Sequence, residues 1–274
     1  QERNVARKPA AFAGTVKRCR CADLRNGVQR QPPIRQGGVF FVRVCMSYLL
    51  AIDRSAPPET WALCHDGKIM QAGSLAHHGT PRVEWAAILE RALPAAGLVP
   101  SSLNELLVGL GPGSFSGLRS AIAAMQGLSL PRGIPILGLA GSAALARRAA
   151  IEHGLDKLVV LGDARRRRVW CAMYFLEATS GTLRRWPDGA APTHGTDDFS
   201  LVAPERLRDL IPPGFVAVSL EWHRLEPLWR DAGAPTERLE NQAPPQAADL
   251  AALYFSDPGA ARRDPLPLYL HPAV

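Results

Sequence analysis

A chain of 274 residues, 47% hydrophobic and 21% charged, can bury a full core without disulfides or metals, which excludes wholesale disorder, collagen-like repeats and coiled coil. No apolar run reaches the roughly 18 residues needed to cross a bilayer, so the composition is that of a non-membrane protein. The formal net charge of +7 lies almost wholly in residues 1–45, with ten Arg or Lys against Glu2 and Asp23, while residues 46–274 balance 22 basic with 23 acidic side chains, so overall basicity is no argument for a nucleic-acid binder.

Residues 1–45 show no sustained helical or strand period, contain no serine and lack the apolar core of a secretory signal. They read as a flexible or non-native extension, with Met46 as the natural start, and a basic arm touching RNA is the sharper alternative. From there SYLLAID (Ser47 to Asp53) is a short buried strand. TWALCHDG (Thr60 to Gly67) and KIMQAGSL (Lys68 to Leu75) form two more, joined by a tight Asp66-Gly67 turn. RVEWAAILERAL (Arg82 to Leu93) places Trp85, Leu89 and Ala92 at helical spacing, with Gly97 as the stop. LLVGL (Leu106 to Leu110) is a buried strand, followed by a glycine-rich turn and a helix from about Ser116 to Leu130. IPILGLA (Ile134 to Ala140) and SAALARRAAIE (Ser142 to Glu152) are the next strand and helix. LVVLGDARRRRVWCAMYFL (Leu158 to Leu176) reads as two strands joined at Ala164 to Arg167. Beyond it come a helix (Val202 to Ile211), a strand (Phe215 to Leu220), a last helix (Gln246 to Phe255) and an extended PLPLYL tail. The strand clusters restart after the helices, so the expected architecture is two linked α/β units, 46–155 and 156–274, with no internal sequence repeat and the last helix packing back.

Five cysteines (Cys19, Cys21, Cys45, Cys64, Cys171) form no C-x-x-C pair, which fits a reducing, cytoplasmic setting. No two of the seven histidines stand at i, i+4, so no metal site is expected. The sharpest feature is GPGSFSGLRS, Gly111 to Ser120, between a strand and a helix. Gly111, Gly113 and Gly117 would let backbone amides approach a phosphate at a helix N-terminus. The same glycines would equally permit close packing of helix on sheet, with Ser114 or Ser116 as N-cap. Arg119 in the first helical turn opposes the helix dipole, which predicts an acidic or phosphate partner. The segment is neither a Walker A loop nor a Gly-x-Ser-x-Gly elbow. Asp53, followed by Arg54 and Ser55 at the end of the first strand, suits either a metal-water ligand beside a nucleotide phosphate or a turn-forming Asx residue. The run Arg165 to Arg168 at a hairpin tip would engage RNA phosphates or form a solvated turn.

Taken together and in order, LLAID-x-S (Leu49 to Ser55), GPGSFSGLR (Gly111 to Arg119), GIPILGL (Gly133 to Leu139), DARR (Asp163 to Arg166) and PLYL (Pro267 to Leu270) resemble the TsaB (YeaZ) family over essentially Met46 to Leu270. The resemblance implies an actin/Hsp70-like (ASKHA) α/β fold of two lobes. It also implies a noncatalytic accessory role in making N6-threonylcarbamoyladenosine (t6A) on tRNA, next to the anticodon. Partners would be a catalytic TsaD-type paralogue and a TsaE-type ATPase, with ATP or ADP and metal on those subunits, no tightly bound cofactor here, and tRNA met only through the complex. The paralogue's His-x-x-x-His metal pair falls here on Gly141 and Leu145, which cannot ligate a metal. Pairing in the family uses helices of the first lobe, which points to Trp85, Leu89, Leu118, Ile122 and Met125 as the partner face, with self-pairing as the counterpart in isolation. The loop of Asp53, Ser55, Gly111, Gly113, Ser114, Ser116, Gly117 and Arg119 would serve a nucleotide or the interface. Asp53-Arg54-Ser55 departs from the family's usual Asp-Thr-Ser, and the N-terminal extension is not a family feature. An M22-like metallopeptidase and an ASKHA-type small-molecule kinase are the competing classes, and neither finds its metal pair or second phosphate loop in the sequence.

Overall fold

The computed structural model describes residues 47–75, 88–186, 199–233, 237–263 and 265–270, all within one unit, Ser47–Val274. The expectations for residues 1–45 and for Trp85 lie outside the described residues.

The first sheet is built from β1 (Tyr48–Asp53), β2 (Glu59–His65), β3 (Lys68–Leu75), β4 (Glu105–Gly109) and β5 (Ile136–Leu139), in the order β3-β2-β1-β4-β5. β1 and β2 pair antiparallel, as do β2 and β3, whereas β4 runs parallel to β1 and β5 parallel to β4. Asp66 (φ 48°) and Gly67 (φ 79°) both have positive φ, the geometry of a type I′ hairpin turn whose twist matches the flanking strands. Leu49 through Asp53 are all buried, so β1 is covered on both faces and reads as a continuous apolar run.

The helices of this part are α1, a wide-turned segment Ile88–Ala92 continuing as Leu93–Ala95, then α2 (Phe115–Ser129) and α3 (Gly141–His153). Only the end of the helix expected over Arg82 to Leu93 falls within the described residues. Gly154, with φ 65°, caps α3 in the left-handed conformation that a bulky side chain disfavours.

The second sheet holds β6 (Lys157–Asp163), β7 (Val169–Leu176), β8 (Leu183–Trp186), β10 (Val216–Ser219) and β11 (Arg238–Leu239), ordered β11-β10-β6-β7-β8, with β9 (Ser200–Val202) paired to β7. Again a hairpin, β6–β7, is followed outward by an antiparallel third strand on one side and parallel strands on the other. The two sheets thus share one strand order and one set of directions. β6 divides its residues by the period of two: Leu158 and Val160 face the core shared with the first sheet, while Val159 and Leu161 enter a separate cluster with Leu207, Phe215, Trp222 and Leu225.

Three further α-helices follow among the described residues: α4 (Leu207–Leu210, after the 3₁₀ turn Pro204–Arg206), α5 (Trp222–Ala232) and α6 (Ala247–Ser256). The expected helix from Val202 is therefore shorter and later, because Val202 pairs with Val169 in the sheet. α6 returns to the first sheet, packing on β1, β2 and β4, and the Ala247 amide donates to Thr60 Oγ1 at 2.8 Å. The tail follows it: Arg262 bridges Gly138 on β5, and the Leu268 amide donates to the Leu110 carbonyl at 2.9 Å.

Candidate functional site

The site grows from the C-terminal ends of β1 and β4, where a strand must hand the chain to a turn. Asp53 is 1% exposed, and its Oδ1 accepts the Ser55 amide at 2.7 Å, an Asx turn that reverses the chain after β1. Its Oδ2 is buried and has no hydrogen-bond partner among the described residues. Burial pushes this carboxyl up to about 6; the hydrogen bonds from Ser55 pull the other way, and the nearby carboxylates of Asp249 and Glu59 add to the rise. The carboxylate fits because glycine backbone faces it. A Cβ on Gly109 would lie 2.6 Å from Oδ2, and one on Gly141 3.7 Å away.

The glycine-rich loop meets this turn directly. A Cβ on Gly113 would fall 2.2 Å from the Ser55 carbonyl oxygen, and one on Gly117 2.2 Å from that of Arg54, so both positions admit only glycine. The Ser114 amide donates to the Ser55 carbonyl at 2.7 Å, and the Gly117 amide donates to Ser114 Oγ at 3.2 Å, which makes Ser114 the N-cap of α2. Ser116 Oγ lies 3.5 Å from Ser114 Oγ. Gly111, at φ 89°, turns the chain and offers its carbonyl to the Gly141 amide at 2.8 Å, tying the loop to the start of α3. Of the two uses the sequence left open, close packing describes Gly113 and Gly117. The amides of Ser114 and Gly117 are already bonded, and two carbonyl oxygens face the loop where an anion would need donors. Arg54 is turned into a mostly buried ion pair with Glu59, 2.5 Å apart, rather than toward the loop.

Two expectations need correction. Among the described residues Arg119 has no carboxylate as partner. Its Nε donates to the Tyr269 hydroxyl at 2.9 Å, and its guanidinium stacks 3.9 Å over the Phe115 ring. The GPGSFSGLR and PLYL strings are thus one physical cluster, a contact hidden in sequence because the partners are 150 residues apart. Nor do Leu118, Ile122 and Met125 form an outer face. All three are buried against the chain's own sheet at 1%, 7% and 1% exposure, since they share the inward arc of α2 with Ala121. The exposed arc carries Phe115, Ser116, Arg119, Ala123, Gln126, Gly127 and, at its C-cap, Leu130. Leu89 falls within the Ile88–Ala92 segment of α1. Gly141 opens α3 and Leu145 is buried one turn on, so the positions of the histidine pair hold a backbone contact and a core side chain.

Two α/β lobes with the same strand order, and a β1 turn packed under the loop that follows β4, give the chain an actin/Hsp70-like fold. The TsaD family, described as tRNA N6-adenosine threonylcarbamoyltransferase, matches residues 82–183. The chain is 27% identical over 191 residues to the tRNA threonylcarbamoyladenosine biosynthesis protein TsaB of Escherichia coli, covering 68% of this chain and 76% of that one. It is 30% identical over 123 residues to TsaB of Haemophilus influenzae, 44% of this chain and 51% of the other. A crystal structure of a Pseudomonas aeruginosa protein described as similar to peptidase YeaZ superposes with a TM-score of 0.63 at 27% identity, covering 82% of this chain and all of that one. In both sequence and structure the chain is thus similar to TsaB (YeaZ) proteins.

Proposed function

We propose that this chain acts in threonylcarbamoyladenosine biosynthesis as a noncatalytic subunit, pairing with a TsaD-type protein through the exposed arc of α2. The observation that carries this reading is that arc. Phe115 is 55% and Leu130 81% exposed, at the two ends of a face otherwise made of small or flexible residues. At 100° per residue these positions fall within an arc of about 120°, wide enough for one partner helix. A Cβ added to Gly127 would meet nothing within 4 Å, so the glycine there serves no contact within the described fold and would allow another backbone to come close. Phe115, Arg119 and Tyr269 at the near end are of the residue types that anchor interfaces.

The similarity to TsaB proteins supports the pathway, and the side chains support the division of labour. Gly141 and Leu145 offer no imidazole. On this reading nucleotide and metal reside on the TsaD-type and TsaE-type partners, tRNA is modified on the complex, and the arc self-pairs when the partner is missing. No helix among the described residues is long and apolar enough to cross a membrane.

Size-exclusion chromatography of the chain mixed with the TsaD-type paralogue is the direct test, with co-elution expected. Two well-folded proteins eluting apart would end the proposal. In cells lacking the chain, t6A measured by nucleoside mass spectrometry should fall and be restored by the intact sequence.

A further inference from the structure

The tip between β6 and β7 combines charge and backbone geometry in a way the proposed role does not use. Arg165, Arg166 and Arg167 have φ of 63°, 51° and 53°, three consecutive side-chain-bearing residues in the left-handed region. Turns needing that conformation are ordinarily filled by glycine or asparagine, because a Cβ crowds the following carbonyl. Here the strained positions carry arginine, and Arg165 through Arg168 are all exposed. Of the four side chains, only that of Arg165 is held among the described residues: Asp163 Oδ2 lies 3.2 Å from its guanidinium, and Asp163 Oδ1 accepts its amide at 2.8 Å. Among the described residues, Arg166, Arg167 and Arg168 make no ion pair. Glu221, bonded to the start of this turn, already accepts the Asp163 amide and pairs with Arg224. Because residues 46–274 as a whole are close to neutral, this run is a local concentration of charge.

The tip also has a counterpart. Asp53 ends β1 and accepts the amide two residues on at 2.7 Å; Asp163 ends β6 and does the same at 2.8 Å. The two turns occupy the same place in the shared strand order. The first is packed under the glycine loop, whereas the second projects its side chains into solvent.

We propose that Arg165–Arg168 contacts the phosphodiester backbone of RNA. Four exposed guanidiniums on a projecting tip suit phosphates repeated along a strand better than one enclosed group, and unpaired arginines present their full set of donors. The RNA meant is the transfer RNA of the proposed pathway, so the choice of probe rests on that reading, though the charge and geometry do not.

The test compares the full chain with Arg166→Gly/Arg167→Gly by fluorescence anisotropy on a tRNA transcript across a salt series. Glycine relieves the left-handed strain, so the thermal midpoint should hold or rise while affinity at 100 mM salt falls about tenfold and the log–log salt slope shrinks by about 1.5. Arg206→Ala/Arg230→Ala removes the same charge elsewhere and should change both far less. The basic segment 1–45 is common to all three proteins. Unchanged affinity and slope in the glycine variant would overturn the proposal, as would a loss equalled by the control. So would displacement of the RNA by ATP or by polyglutamate at concentrations that leave the glycine variant's residual binding intact. If the chain fails to pair with the TsaD-type protein but the glycine variant still loses RNA, the pathway is wrong and the RNA contact stands.

Discussion

Arg119 and Tyr269 are joined by a 2.9 Å hydrogen bond from the guanidinium Nε to the phenol oxygen, and the Phe115 ring lies beneath the same guanidinium. The C-terminal tail is thereby latched to the first turn of α2. Tyr269→Phe removes one hydrogen bond to a charged donor at a partly exposed site and should cost about 1 kcal/mol. Arg119→Ala also loses the stacking on Phe115 and should cost more. Urea unfolding of both variants checks the order, and equal midpoints would mean that the latch contributes nothing.

Asp53 predicts a pH dependence. Its carboxyl is raised from the ordinary value of 3.8 to about 6, chiefly by burial. The native state therefore takes up this proton at higher pH than the unfolded chain does. At this group stability is lowest above pH 6, grows as pH falls through the folded value and is fully gained below the unfolded one. The span is on the order of 3 kcal/mol at most. Asp53→Asn should raise the unfolding midpoint at pH 8, and the advantage should shrink at pH 5. An advantage that is constant with pH would show that Asp53 does not titrate in this range.

Glycine substitutions separate contact from open space. Gly113→Ala and Gly117→Ala would place a methyl 2.2 Å from the carbonyl oxygens of Ser55 and Arg54, so backbone must shift. Losses of about 3 kcal/mol or more are expected in each. Gly127→Ala meets nothing and should stabilise the isolated chain by about 0.5–1 kcal/mol through helix propensity. If Gly127 marks a close helix contact, Gly127→Leu should weaken pairing without loosening the fold, and calorimetric titration with the partner would register it.

Opposite faces of α2 should respond differently to a carboxylate. Met125→Asp buries a charge at a 1% exposed position and should prevent folding, seen as loss of the cooperative thermal transition. Leu130→Asp, at 81% exposure, should leave that transition within about 1 °C while abolishing co-elution. A Leu130→Asp chain that still pairs would place the partner elsewhere.

The strongly periodic parts of the fold were legible in the residues. β1, β4 and β6 read as continuous apolar runs because sheet centres are covered on both faces, and Asp66-Gly67 announced its turn by residue type. The α5 helix was not legible, since Pro227 interrupts its pattern, yet the chain accommodates it there. The strands β8, β9 and β11, with two to four residues each, are too short to show a period. At the site, GPGSFSGLRS identified which residues meet but not how. Two carbonyl oxygens that no side-chain pattern encodes decided between a cradle and a packing contact. Leu118, Ile122 and Met125 were apolar at helical spacing, which fits a core face and a docking face equally well. The shared strand order of the two sheets left no sequence repeat, because pairing depends on the direction and order of strands rather than on identical side chains.

The return of α6 and the tail to the first sheet bears on how the chain is made. The amide that donates to Thr60 belongs to Ala247, and the one that donates to Leu110 belongs to Leu268, so a ribosome must reach Leu268 before the strands of the first sheet receive all of these neighbours. During synthesis β1, β2 and β4 wait with one flank uncovered, while β6 and β7 can close their hairpin as soon as they emerge. Assembly of the nascent protein thus runs against its genetic order, the lobe translated first being the last to be sealed.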